Sequence, residues 1–230
     1  HACLLIQSKE TTVLTDPVWS DYLWEEINVL CPSIVLEKDK IPPVDVLNIS
    51  HRHQDHFDVR TLAYLVQNEK ILKPDSIVLA PNDDLVVDIL KELEFKNIKI
   101  VSDFESIKIN DVTLIPTPSR NQASTAEDDF PEHGLVVSDG DVTIWNQVDS
   151  LVNPEIIQQI GEIFGQIDFF HSRFVPLLEG NFSYNKPLNL PIEEYCTFLN
   201  VVRALGPKFV VPGSAAFRYR NELTFLNQFS

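Results

Sequence analysis

The sequence predicts an α/β (α+β) protein built as a four-layer αβ/βα sandwich, with two sheets inside and helices on both outer faces. Three observations carry that expectation. Strand-like apolar runs alternate with amphipathic helix-like stretches in two comparable halves of the 230-residue chain. A series of short strands with polar turns fills the middle. A dense histidine cluster follows directly on one apolar run, where a strand end can hold a metal.

Taken in order, residues 2–7 and 12–15 flank the polar Ser8-Lys9-Glu10 and read as a hairpin that delivers Asp16 to a strand end. Asp16-Pro17 opens a long connection through Trp19, Tyr22 and Trp24 to Pro43. It reads equally as a loop over the site or as surface packing. Residues 46–50 form a buried strand, and 59–67 a helix with Leu62, Leu65 and Val66 inward and Asp58 as its N-cap. A strand at 76–80, a helix at 82–95 and a strand at 98–101 follow. Strands at 106–109, 112–116, 134–137 and 142–145 are joined by turns at Asn110-Asp111 and Asp139-Gly140-Asp141. The last third repeats the theme: helix 155–164, strand 167–171, helix 192–205, strand 209–211 and a final helix from Arg218.

Three of the six histidines, His51, His53 and His56, fall within six consecutive residues of the stretch DVLNISHRHQDHFD, with Asp55 among them. A single histidine in such a place is ordinarily a solvated or hydrogen-bonded side chain. HxHxDH behind a strand is a metal loop. Residues two apart in an extended segment point the same way, so His51 and His53 can grip one ion while Asp55 and His56 reach toward a second.

Composition narrows the partners. A formal charge of −16, from 18 Lys and Arg against 34 Asp and Glu, argues against general affinity for nucleic acid or anionic lipid. Three cysteines without CxxC spacing predict reduced thiols and a cytoplasmic protein. No apolar run nears the roughly 20 residues of a membrane span. No linker divides the chain, which is expected to be a single domain over residues 1–230. It begins at His1 and holds no methionine, which leaves open whether it is a fragment of a longer polypeptide.

The HxHxDH loop, the opening His1-Ala2-Cys3-Leu4-Leu5-Ile6 and the later Leu14-Thr15-Asp16-Pro17-Val18-Trp19-Ser20 resemble the metallo-β-lactamase superfamily. The branch is that of N-acyl-phosphatidylethanolamine phospholipase D, ascorbate-6-phosphate lactonase and the CMP-N-acetylneuraminate hydroxylase module. The resemblance covers most of the chain and implies the same sandwich. It also implies a divalent metal, zinc foremost with iron or manganese as alternatives, and a hydroxide on it that attacks an ester, lactone or phosphodiester bond of a small molecule. Asp149 is the candidate carboxylate bridge, with an N-cap near Pro154 as its plain alternative, and Asp55 and Asp149 are the candidate catalytic residues. His1 and Asp16 are expected behind the ligands, Asp16 orienting a ligand histidine.

Two positions depart from the family pattern. Asn121, after Thr117-Pro118-Ser119, and Gly213, in Val211-Pro212-Gly213, stand where the family has ligand histidines. A neutral amide is a poor zinc ligand and glycine is none. His171, at a strand end, is a candidate replacement ligand or else a core histidine. Glu179, Asn181 and Tyr184 form a loop that can line a substrate pocket, and His133 is expected to be exposed. Three readings follow: a metal-dependent hydrolase; an iron-dependent oxidoreductase module with an additional domain or redox partner; and a binding domain without turnover.

Overall fold

The computed structural model describes residues 2–23, 26–120, 130–174, 178–189, 192–213 and 216–229. In chain order these form β1 (Leu4–Gln7), β2 (Thr12–Thr15), β3 (Tyr22–Leu23), β4 (Asn28–Leu30), β5 (Val44–Asn48), α1 (Val59–Val66), β6 (Leu72–Ala80), α2 (Asp84–Glu92) and β7 (Asn97–Ile100). There follow β8 (Ile107–Ile109), β9 (Val112–Pro118), β10 (His133–Ser138), β11 (Thr143–Asn146), α3 (Pro154–Phe164), β12 (Phe169–Arg173), α4 (Leu178–Ser183), α5 (Ile192–Leu205), β13 (Phe209–Gly213) and β14 (Phe217–Tyr219). One sheet runs β1-β2-β5-β6-β7 and the other β13-β12-β11-β10-β9-β8.

Strand alternation explains the layers, since successive side chains leave a sheet on opposite faces. Val13, Val46 and Leu79 of the first sheet meet Leu114, Leu135 and Val137 of the second in one apolar cluster between the sheets. Their neighbours Leu14, Leu47 and Val78 point the other way and pack against Leu62 and Leu65 of α1 and Val86 and Leu90 of α2. On the far side, Ile115, Val136, Trp145 and Phe170 pack under Ile156 and Ile160 of α3 and Val201 of α5. The result is helix, sheet, sheet, helix.

Several sequence expectations need correction. The strand expected at 76–80 begins earlier, at Leu72, because Val44 of β5 pairs with it. Arg218 does not start a helix. Phe217 and Tyr219 pair with Leu30 and Asn28 in a small third sheet, β14-β4-β3, and residues Asn221–Gln228 after it form a 3-10 helix. The expected loop around Glu179 is the short helix α4, whose Leu178 is buried with Tyr219 and Leu226. The long connection after Asp16 contributes β3 and β4 to that sheet, and Trp19 packs edge-on to Tyr64. Asp58 does hold the first position of α1, but its carboxylate takes the Thr61 hydroxyl at 2.6 Å instead of a backbone N–H.

Candidate metal centre

Parallel pairing brings strand ends together. β2 and β5 run parallel with Thr15 opposite Asn48, so Asp16 and the histidine loop leave the sheet side by side. The second sheet joins them through Asn146 at the end of β11, whose amide donates to the Ala2 carbonyl at 3.0 Å and the Thr15 hydroxyl at 3.1 Å. The loop itself is tightly turned: the N–H groups of His56 and Phe57 both donate to the His53 carbonyl, at 2.9 and 2.7 Å.

Two triads of donors result. His51, His53 and Asp149 form one, Asp55, His56 and Asp149 the other, and the donor atoms of each lie within 4.8 Å of one another. Asp149 belongs to both. His51 Nε2 faces His53 Nδ1 at 2.9 Å. His56 Nε2 is fully buried, 3.4 Å from carboxylate oxygens of both Asp55 and Asp149, yet makes no hydrogen bond. A buried ring nitrogen that faces two carboxylates without bonding either is a costly arrangement unless something sits between them. Imidazole and carboxylate donors converging in this way fit divalent ions.

Hydrogen bonds behind the ligands set their tautomers. Asp16 is wholly buried and accepts from the Ser50 N–H at 2.8 Å, the Ser50 hydroxyl at 2.6 Å and His56 Nδ1 at 3.0 Å. With its proton on Asp16, the Ser50 oxygen accepts from His51 Nδ1 at 2.9 Å. In the neutral form both rings therefore carry hydrogen on Nδ1 and offer the Nε2 lone pair to the site. Asp16 does this from a left-handed backbone conformation, φ 39°, and Val148 beside Asp149 has φ 60°, unusual for a β-branched residue. The bends at these two positions aim the carboxylates of Asp16 and Asp149.

Charge follows geometry. Burial, and then the charge of His56, hold His51 neutral, well below the usual imidazole range. Burial opposes charge on His56 too, but the carboxylates of Asp55 and Asp149 overcome it and raise His56 well above that range. Burial likewise resists ionisation of Asp55 and Asp149, and His56 reverses it, so both carboxyls are ionised. The cluster thus demands a positive charge, which a divalent ion supplies better than a proton.

The remaining residues fall as follows. His171 is buried, its Nδ1 2.8 Å from the Asn146 side-chain oxygen, and burial pushes its pKa down to about 4. Gly213 lies against it. Asn153 caps α3, so Asp149 is not the cap there. His133 is buried, not exposed as expected, because β10 is central in its sheet and Nε2 meets Asn48 Oδ1 at 3.0 Å. Glu179 takes the Tyr219 hydroxyl, and Tyr184 is 75% exposed; neither these two nor His171 belongs to a donor group among the described residues. His1 and Asn121 lie outside the described residues.

Sequence reasoning missed four contributors. Ser50 relays Asp16 to His51, and Asn146 ties His171 to the first sheet. Phe130 stacks on His51 with centroids 5.8 Å apart and meets His53 edge-on at 4.7 Å, closing one side of the site. Glu132 accepts from the Ser119 hydroxyl, and burial raises its carboxyl pKa. Ser50 alone carried a local signal, adjacency to the ligand loop. A cleft of about 300 Å³ lined by Tyr22, Leu23, Gln54, Phe57 and Arg60 opens beside the loop.

A two-sheet sandwich with a histidine and aspartate cluster at its strand ends defines a class of metal-binding proteins. The family described as beta-lactamase superfamily domain matches residues 1–170, and the chain belongs to that family. A Mycolicibacterium smegmatis protein that carries a Rieske 2Fe-2S iron-sulfur name is 30% identical over 177 residues, 73% of this chain and 32% of that one. CmlA, a diiron beta-hydroxylase from Streptomyces venezuelae, has a similar fold, with TM-score 0.65 and 21% identity over 91% of this chain and 42% of its own. So does an isothiocyanate hydrolase from Delia radicum gut bacteria, with TM-score 0.64 and 15% identity over 99% of this chain and 87% of its own. The chain spans about a third of the length of the curated relatives it matches. Among the described residues no helix is long and apolar enough to cross a membrane.

Proposed function

We propose that this chain is the metal-binding module of an iron-dependent oxidoreductase acting on a small molecule. The donor set carries the reading. His51, His53 and Asp149 are two imidazoles and one carboxylate, the combination that suits non-haem iron, and the companion triad has two carboxylates to one imidazole. Such oxygen-rich sites suit iron or manganese better than zinc. The Rieske name of one relative and the diiron hydroxylase among the fold neighbours support the same chemistry.

Iron held there supplies one-electron and dioxygen chemistry. The protein's residues do the rest. Asp16 and Ser50 keep the lone pairs of His56 and His51 directed inward, and Asp149 links the two triads. Phe130 keeps water from the outer face of the His51 and His53 rings, and the cleft at Tyr22 and Phe57 gives a small molecule a way to the loop. Electrons come from a separate donor, a further domain or a redox partner.

A second reading, hydrolysis at the same centre, is favoured by one observation: the isothiocyanate hydrolase fold matches 99% of this chain without needing another domain. Elemental analysis of protein purified without added metal separates the two. Iron near two per chain, lost in Asp149→Ala, supports the oxidoreductase. Stoichiometric zinc, with ester or lactone hydrolysis lost in His53→Ala, would sink it.

A further inference from the structure

We propose that His171 is a metal ligand, supplying a nitrogen from the end of β12 to the ion held by Asp55, His56 and Asp149, across the space left by Gly213. The inference rests on the two-ion reading of the site. Its first support is the tautomer of the ring. The Asn146 NH2 faces the Ala2 carbonyl, which can only accept, so the oxygen of that amide is the atom turned to His171 Nδ1 at 2.8 Å. Nδ1 therefore carries the hydrogen and Nε2 carries a lone pair. Nε2 makes no hydrogen bond to a described residue.

The second support is space. β12 and β13 run parallel with Arg173 opposite Gly213, and the His171 ring leans across onto the neighbouring strand. A Cβ built on Gly213 would lie 2.4 Å from Nε2 and 2.5 Å from Cε1, closer than such atoms approach. The imidazole occupies the volume where any side chain at 213 would begin. Glycine there is thus what admits His171, and a nitrogen lost from one strand is replaced from the next.

The third support is company. The register places His171 beside Asn146, three residues before Asp149, and the Gln147 N–H donates to the His171 carbonyl at 2.9 Å. Among the charged groups that act on the ring are Asp149, His56 and Asp16, from the second triad and its anchor. The ring bonds through Nδ1 and leaves the lone pair of Nε2, beside Gly213, to a metal, as metal-ligating histidines do.

Titration of metal-free protein with Co(II), followed by visible absorption and calorimetry, tests the assignment. The unsubstituted chain takes two equivalents. His171→Ala keeps the first and weakens the second by more than the roughly 10–100-fold typical of losing an outer partner. The double variant His171→Ala, Gly213→His recovers the second equivalent. Gly213→Ala, which leaves every ligand in place but drives a Cβ into Nε2, weakens it as His171→Ala does and serves if that variant fails to fold. An unchanged second equivalent in His171→Ala or Gly213→Ala overturns the assignment alone. A single equivalent in the unsubstituted chain overturns it together with the two-ion reading.

Discussion

One oxygen of Asp16 accepts from His56 Nδ1 at 3.0 Å and from the Ser50 hydroxyl at 2.6 Å. A single buried carboxylate therefore fixes histidines of both triads, His56 directly and His51 through Ser50. Asp16→Asn replaces an acceptor with an amide that can turn a donor toward His56 and release its ring. Metal affinity is expected to fall about 10–100-fold, the usual effect of losing an outer-shell partner. Calorimetric titration showing unchanged affinity would remove Asp16 from this role.

Arg52 sits between two residues of the first triad, His51 and His53, and its guanidinium grips Asp83 with two bonds of 2.6 and 2.8 Å. The same carboxylate caps α2 by accepting from the N–H groups of Leu85 and Val86. Asp83→Ala is expected to cost about 0.5–2 kcal/mol through the lost cap alone. It should also loosen the ligand loop, so metal affinity falls with stability. Asp83→Ser, which can cap but cannot grip Arg52, is expected to recover stability more than affinity, as urea unfolding and metal titration together will show.

Gly134 packs where no side chain fits. A Cβ there would lie 2.6 Å from the Thr117 hydroxyl and 2.9 Å from the Asn146 carbonyl, and the latter is backbone and cannot step aside. Gly134→Ala is therefore expected to destabilise the protein by about 1–3 kcal/mol, the usual scale of overpacking. It should also disturb Asn146 and so the His171 ring. An unfolding midpoint equal to that of the parent would refute the close approach.

Stability of the metal-free protein should fall on mild acidification. Burial pushes the pKa of His133 down to about 4, whereas in the unfolded chain it returns to about 6.5. Between those values the unfolded state binds the proton and the folded state does not, so stability is lost as pH falls from about 6.5 to 4 and no further below. The full effect is about 3 kcal/mol. Urea midpoints at pH 7, 5.5 and 4.5 measure it together with the like contribution of His171, and His133→Gln should flatten that slope in part; an unaltered slope would place the proton elsewhere.

Much of this was legible in the residues because it is local. Period-two and period-3.6 apolarity located most of the strands and helices, and HxHxDH named four side chains that the fold gathers into the two triads, because six consecutive residues cannot travel far apart. The failures were local readings of non-local facts. His133, in Pro131-Glu132-His133-Gly134, carries nothing nearby to say that Asn48, 85 positions away, will cover it. Arg218 looked helical because a strand's only evidence there was its partner, Val29.

The same division runs through the site. The histidine loop declares itself in the linear chain, and so does the glycine at 213. Which nitrogen each ring presents does not, since that depends on Asp16 reaching His56 across 40 residues and on Asn146 reaching Thr15 across 131. Nor does the filling of the gap: at Gly213 the sequence shows only a missing side chain. The parallel pairing of β12 with β13 puts the ring of His171 into that space, because strand register, and not proximity in the chain, brings the two residues together.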